Sequence, residues 1–168
     1  YIALKRNKNF GSITDIKPEN LPQIDMFTYS FPCQSVSTIG KGEGLEIGTR
    51  SGLLWEIERI LYGLKLLKRL PKFLIMENVK NLFSKKHIDG WNKFASFLES
   101  LGYKNTTRIL NSKNFGTPQN RERAFCISEL NGVDEIIVEA KGSHTNLHDF
   151  LDLDNDDLIE EYKEVLML

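Results

Sequence analysis

Most features that place a protein quickly are scarce in this sequence. Two cysteines, Cys33 and Cys126, in 168 residues exclude a disulfide framework, and no Cys/His spacing suits zinc. No apolar run approaches the ~20 residues of a membrane helix. No signal peptide opens the chain, so a reducing, cytoplasmic setting is expected. Neither sign of charge dominates: 22 Lys and Arg against 23 Asp and Glu leave a net charge of −1. That balance announces no nucleic-acid partner, yet it excludes none, because recognition needs only a basic patch. No internal repeat is visible. With 40% hydrophobic residues the chain can build the core of one ordinary domain.

What is present is organised around Phe31-Pro32-Cys33-Gln34-Ser35-Val36-Ser37, directly after the apolar run at residues 24–29. That run suits a buried strand of an α/β sheet, and Pro32 cannot extend a ladder. Cys33 therefore falls at the carboxyl end of a strand, the edge where open α/β sheets bind ligands. Residues 35–44 hold three glycines and three hydroxyls, a composition suited to a lid or a phosphate-contacting loop. Two readings of Cys33 stand side by side: an exposed nucleophile or a small core residue.

In chain order, residues 1–7 resemble the end of a helix, and residues 18–22 a surface connection. The first strand is expected at residues 25–29. After Thr49-Arg50-Ser51-Gly52, Leu53, Leu54, Ile57, Ile60, Leu61, Leu64 and Leu67 recur at helical spacing and give one apolar face. Arg59, Lys65 and Lys68 take the other face, with Pro71 marking the end. Phe73-Leu74-Ile75-Met76 reads as a strand buried on both faces, ending in Glu77-Asn78-Val79. A helix joining two such strands makes a right-handed βαβ unit. The topology thus brings Glu77 to the same sheet edge as Cys33. Taken alone, Glu77 reads more readily as a solvated loop carboxylate.

Residues 89–101 form a second amphipathic helix with Trp91, Phe94, Phe97, Leu98 and Leu101 inward and Gly102 as its stop. Residues 103–110 read as a strand and residues 114–118 as a turn. An extended segment 119–123 would then put Gln119, Arg121 and Arg123 on one face. An amide and two guanidiniums can hold a carboxylate, a phosphate or a carbonyl oxygen. Charges that protect an edge strand are the alternative. Cys126 is read as core. Residues 149–164 are acidic, with enough leucine for one more helix.

Three signals stand in fixed order: Pro32-Cys33-Gln34, Glu77-Asn78-Val79 and Gln119-Asn120-Arg121-Glu122-Arg123. Together they resemble the PCQ, ENV and QxRxR motifs of the DNA (cytosine-5)-methyltransferases, over roughly residues 9–128. Thr49-Arg50-Ser51-Gly52-Leu53-Leu54, Leu101-Gly102-Tyr103 and Asn114-Phe115-Gly116 are similar to the family's connecting text. The resemblance implies a partial Rossmann-like, three-layer α/β/α fold of the S-adenosylmethionine-dependent methyltransferases. It makes Cys33 the thiolate that adds to carbon 6 of cytosine, which turns carbon 5 into an enamine carbon able to attack a methyl sulfonium. It gives Glu77 the task of protonating N3, Arg123 the O2 carbonyl, and Arg121 the bracing of Glu77. Pro32 and Leu54 would touch the donor S-adenosylmethionine. Gln34, Ser35, Ser37, Lys41 and Gln119 would face double-stranded DNA, from which the target base is flipped. No metal and no membrane enter this scheme. The setting it implies is a bacterial, nucleoid-associated enzyme of a restriction–modification system.

Departures from the family pattern define further expectations. The aromatic-x-Gly-x-Gly donor loop is absent, as is the acidic residue for the donor ribose. Gly11 falls in register with the glycine of the family's Gly-Asp-Ile motif. Ser12 then stands where the adenine-meeting aspartate belongs, with Asp15 as the alternative. Residues 1–135 are accordingly expected to be the central part of a catalytic domain. Residues 136–168, with Leu147-His148-Asp149-Phe150-Leu151, would lead into a target-recognition region. The chain alone is expected to be inactive and to self-associate or need a complementing chain. An inactive DNA-binding or accessory piece is the alternative function. A cysteine hydrolase, with His87, His144 or His148 as base, is the distant third.

Overall fold

The computed structural model describes residues 9–31, 53–134 and 136–140. Strand β1 spans Met26–Tyr29, helix α1 Leu54–Leu66, β2 Phe73–Val79, α2 Ile88–Ser100, β3 Tyr103–Asn111 and β4 Glu122–Leu130. Short 3-10 turns lie at Ile13–Asp15, Pro18–Asn20, Lys80–Phe83 and Ser112–Phe115. Two compact units result. Described residues up to Leu110 join Arg123–Ile137 in the first, and Asn111–Glu122 belongs to the second.

The sheet runs in the order β1-β2-β4-β3. β1 and β2 are parallel, from Met26 opposite Phe73 to Tyr29 opposite Met76, as the expected βαβ unit requires. β4 inserts antiparallel beside β2, from Phe73 opposite Glu129 to Val79 opposite Arg123. Mixed sheets of this kind are common among α/β folds. The architecture is α/β and Rossmann-like, as expected. The described residues supply its sheet and one helical layer.

Helix α1 forms because Leu54, Ile57, Ile60, Leu61 and Leu64 share one face, and all five are buried. Burial of such side chains is worth about 1.5–3 kcal/mol each. On the opposite face Arg59 bonds Glu56 at 2.7 Å and the carbonyls of Ile16 and Ile13 at 2.8 and 3.0 Å, fastening the segment before β1. A Cβ on Gly63 would stand 2.7 Å from Pro18 Cβ, so only glycine lets the helix approach that turn. The helix stops before Pro71. Lys68 adopts φ 56° while Arg69 N–H donates to Leu64 O and Lys68 N–H to Lys65 O, a Schellman stop. Leu67, expected on the apolar face, is the C-cap, its N–H still bonded to Gly63 O, and is 42% exposed.

Helix α2 buries Trp91, Phe94 and Leu98, and Gly102 ends it at φ 97°, as its sequence predicts. Phe94 is the hub of the core. Its ring lies 5.9–6.3 Å from those of Trp91, Phe97, Tyr29 and Trp55. Leu74 and Met76 of β2 and Cys126 of β4 complete the same cluster with both helices.

Two strand expectations change. β2 is fully buried only at Leu74, Met76 and Asn78, while Phe73, Ile75, Glu77 and Val79 are half-buried. The continuous apolar run hides an alternation, because among the described residues the helices share the first of these faces. β1 exposes Met26 and Thr28 and fully buries only Tyr29, since among the described residues it ends the strand order.

Candidate active site

Glu77 is not in a loop after β2. It lies inside the strand, which runs on to Val79. Alternation then sends Glu77 away from the core and Asn78 into it. On β4 the same alternation buries Ala124, Cys126 and Ser128 and aims Arg123 to Glu77's side. Val79 is directly opposite Arg123 and Glu77 opposite Phe125, so Glu77 and Arg123 are diagonal neighbours, a spacing long side chains bridge. They do so: Arg123 Nε donates to Glu77 Oε1 at 3.0 Å, with 39% of the Glu77 side chain still exposed. The carboxylate is held in a defined place yet stays reachable.

Asn78 carries the second relationship at this end of β2. Its side chain is 3% exposed. Nδ2 donates to Phe31 O at 3.1 Å and Oδ1 accepts from Val79 N–H at 2.8 Å. Phe31 is itself buried, at 4% exposure. The sequence reading gave Asn78 no role. The available signal was a carboxamide in phase with Leu74 and Met76, because a buried amide must find partners.

Gln119 and Arg121 do not continue an extended strand. Arg121 N–H folds back to Gln119 O at 3.1 Å and Ser112 N–H donates to Arg121 O at 3.0 Å. Ser112 Oγ donates to Gln119 O at 2.6 Å, and Asn111 Nδ2 to Asn120 Oδ1 at 2.7 Å. A bond from residue i+2 back to residue i is a tight turn. The shared face expected for Gln119, Arg121 and Arg123 is therefore not formed by strand alternation. Only Arg123 lies on the described sheet beside Glu77, and both Gln119 and Arg121 are exposed.

On the side expected to meet the methyl donor, Ser12 caps the Ile13–Asp15 turn, its Oγ accepting from Thr14 N–H at 3.4 Å. Gly11 before it has φ 78°, and Ser12 and Asp15 are both exposed. Leu54 is 0% exposed, so its side chain serves the core at the start of α1. Cys126 is a buried free thiol, and burial pushes its pKa up to about 11. It is the core cysteine expected. Pro32, Cys33, Gln34, Ser35, Ser37 and Lys41 lie outside the described residues, as do His144 and His148. His87, the described one of the three histidines, opens α2.

The family model for C-5 cytosine-specific DNA methylases matches residues 1–166. Type II methyltransferase M2.ScrFI of Lactococcus lactis subsp. cremoris is 51% identical over 163 residues, covering 96% of this chain and 42% of that protein. Orphan methyltransferase M.SssI of Spiroplasma monobiae is 47% identical over 136 residues, covering 78% and 35%. The chain thus spans less than half the length of these relatives. Among solved structures, the Entamoeba histolytica methyltransferase EhMeth superposes with a TM-score of 0.70 at 18% identity, over 94% of this chain and 48% of that one. That likeness speaks for the fold alone. With the matched family model and the high identity to M2.ScrFI, the conclusion is direct: the chain belongs to the C-5 cytosine-specific DNA methylase family.

Proposed function

We propose that the protein containing this chain methylates carbon 5 of cytosine in double-stranded DNA, with S-adenosylmethionine as donor, as part of a bacterial restriction–modification system. The observation that carries this reading is the Glu77–Arg123 pair at 3.0 Å, at the end of the strand parallel to the one that leads into Cys33.

Cytosine carbon 5 is too weak a nucleophile to attack a methyl sulfonium. The Cys33 thiolate adds to carbon 6 of a base flipped out of the duplex, while a proton reaches N3 through Glu77. The electron pair then available at carbon 5 displaces the methyl group from the donor sulfur. Loss of the carbon 5 proton, expulsion of the Cys33 thiolate and return of the N3 proton to Glu77 release 5-methylcytosine. Arg123 pairs with Glu77 before the base enters and takes the O2 carbonyl once Glu77 turns to N3 and the exocyclic amine. Ser35, Ser37, Lys41, Gln34 and Gln119 contact DNA. Phosphate contacts of that sort position the duplex without reading its sequence. On the donor side, the exposed Ser12 or Asp15 meets the adenine, Pro32 touches the donor and Leu54 backs that wall from within the core.

DNA bearing 5-fluorocytosine tests the scheme, because fluorine blocks the final elimination and leaves a covalent adduct. The full-length protein should form that adduct and Cys33→Ser should not, serine being a far poorer nucleophile near neutral pH. An adduct with the serine variant would remove Cys33 from the mechanism.

A further inference from the structure

We propose that Asn78 is a positioning residue for the nucleophile: its buried carboxamide sets where the segment that carries Cys33 leaves the sheet. The inference rests on the methyltransferase reading and adds a residue to it. The last ladder pair between β1 and β2 is Tyr29 with Met76. Phe31 lies two places beyond Tyr29, and Asn78 two places beyond Met76. The Nδ2 bond to Phe31 O, at 3.1 Å, therefore prolongs the parallel register by one more step, through a side chain instead of the backbone. In a parallel ladder the donor to Phe31 O would be a backbone N–H of β2, but the Val79 N–H next in register donates to Asn78 Oδ1 instead. Cys33 follows two residues after Phe31.

The chemistry at Asn78 is demanding. One end of the side chain must donate, to Phe31 O. The other must accept, from Val79 N–H at 2.8 Å. A carboxamide does both, a carboxylate only accepts, and an aliphatic side chain does neither. The two partners of opposite kind also fix which end is nitrogen. At 3% exposure no water competes for these bonds. Asn78 thus ties the chain that enters the thiol segment to the strand that bears Glu77. Misplacing a reacting group by ~1 Å can cost ~10²-fold in rate.

The test uses the full-length protein, 5-fluorocytosine DNA and two variants, Asn78→Asp and Asn78→Ala, with adduct rate and adduct amplitude recorded separately. Asn78→Asp keeps the shape and the bond to Val79 and loses only the donor to Phe31. Asn78→Ala covers the case in which a buried carboxylate prevents folding. We expect the adduct rate per competent molecule to fall ~10-fold or more, within the range a small misplacement produces, with DNA affinity within about twofold of the parent. For Asn78→Asp the rate relative to the parent should recover as pH is lowered, because the protonated carboxyl again donates. Parental rates with only reduced amplitude or melting temperature would overturn the inference, leaving Asn78 a plain core residue. No adduct with the parent protein would instead overturn the methyltransferase reading beneath it.

Discussion

Glu77 and Arg123 face each other diagonally across the antiparallel pairing of β2 and β4, their charged groups 3.0 Å apart. They are 46 residues apart in the chain, the difference between 123 and 77. Because Glu77 is more than one-third exposed, the pair should contribute little to stability, in the range of about 0–1 kcal/mol for exposed ion pairs. Its importance is placement. Glu77→Gln should therefore leave the denaturation midpoint nearly unchanged while turnover drops ~10²-fold or more, as loss of a general acid does. Turnover within twofold of the parent, measured by methyl transfer to DNA, would take Glu77 out of the reaction.

The two cysteines should differ sharply in reactivity. Burial raises Cys126 to about 11 and leaves it 1% exposed, so almost no thiolate is present or accessible near neutral pH. Under native conditions iodoacetamide should label Cys33 alone, and Cys33→Ser should take up none until denaturant is added. Peptide mapping that finds native Cys126 alkylated as fast as Cys33 would contradict both the burial and the assignment.

Phe94 should be among the costliest positions to truncate. It is 0% exposed and ringed by the aromatic groups of Tyr29, Trp55, Trp91 and Phe97, which hold it too firmly to close a cavity. Phe94→Ala should cost about 3–5 kcal/mol, a large part of the total stability of an ordinary domain. Urea denaturation reads the loss directly, and a change below about 1 kcal/mol would mean that the core repacks.

Acid should weaken the fold through His87. Burial first, and Lys86 second, lower its pKa from the ordinary 6.5, and its Nδ1 has no hydrogen-bond partner among the described residues. The folded protein keeps the ring neutral at a pH where the unfolded chain already binds a proton. Its stability contribution is thus complete above about pH 6.5 and is lost as pH falls from there toward the lowered folded value. Melting temperatures between about pH 8 and pH 5 should show a fall that His87→Gln reduces. Parallel curves for the two proteins would place the acid sensitivity elsewhere.

Local pattern carried much of this protein. The spacing from Leu54 to Leu64 marks α1 and its buried face, and Gly102 marks the end of α2. The apolar run from Phe73 marks β2. These features depend on near neighbours in the chain, or on the backbone freedom that glycine has. The ordered motifs around Cys33, Glu77 and Arg123 were legible for the same reason, and they named the family before any contact was known.

Other features needed the folded chain. Leu67 belongs to the helical pattern yet is exposed at the C-cap, one residue before Lys68 turns left-handed. The alternation of Gln119, Arg121 and Arg123 fails because Ser112 and Asn111 bond back across the turn and curl the backbone. Arg123 meets Glu77 only because β4 inserts beside β2 in antiparallel register, a choice made by packing across long sequence separation. Asn78 finds Phe31 through the parallel register of β1 and β2. Composition and spacing determined which residues could do the chemistry. Strand order and register, set by which faces could be buried together, decided which of them meet.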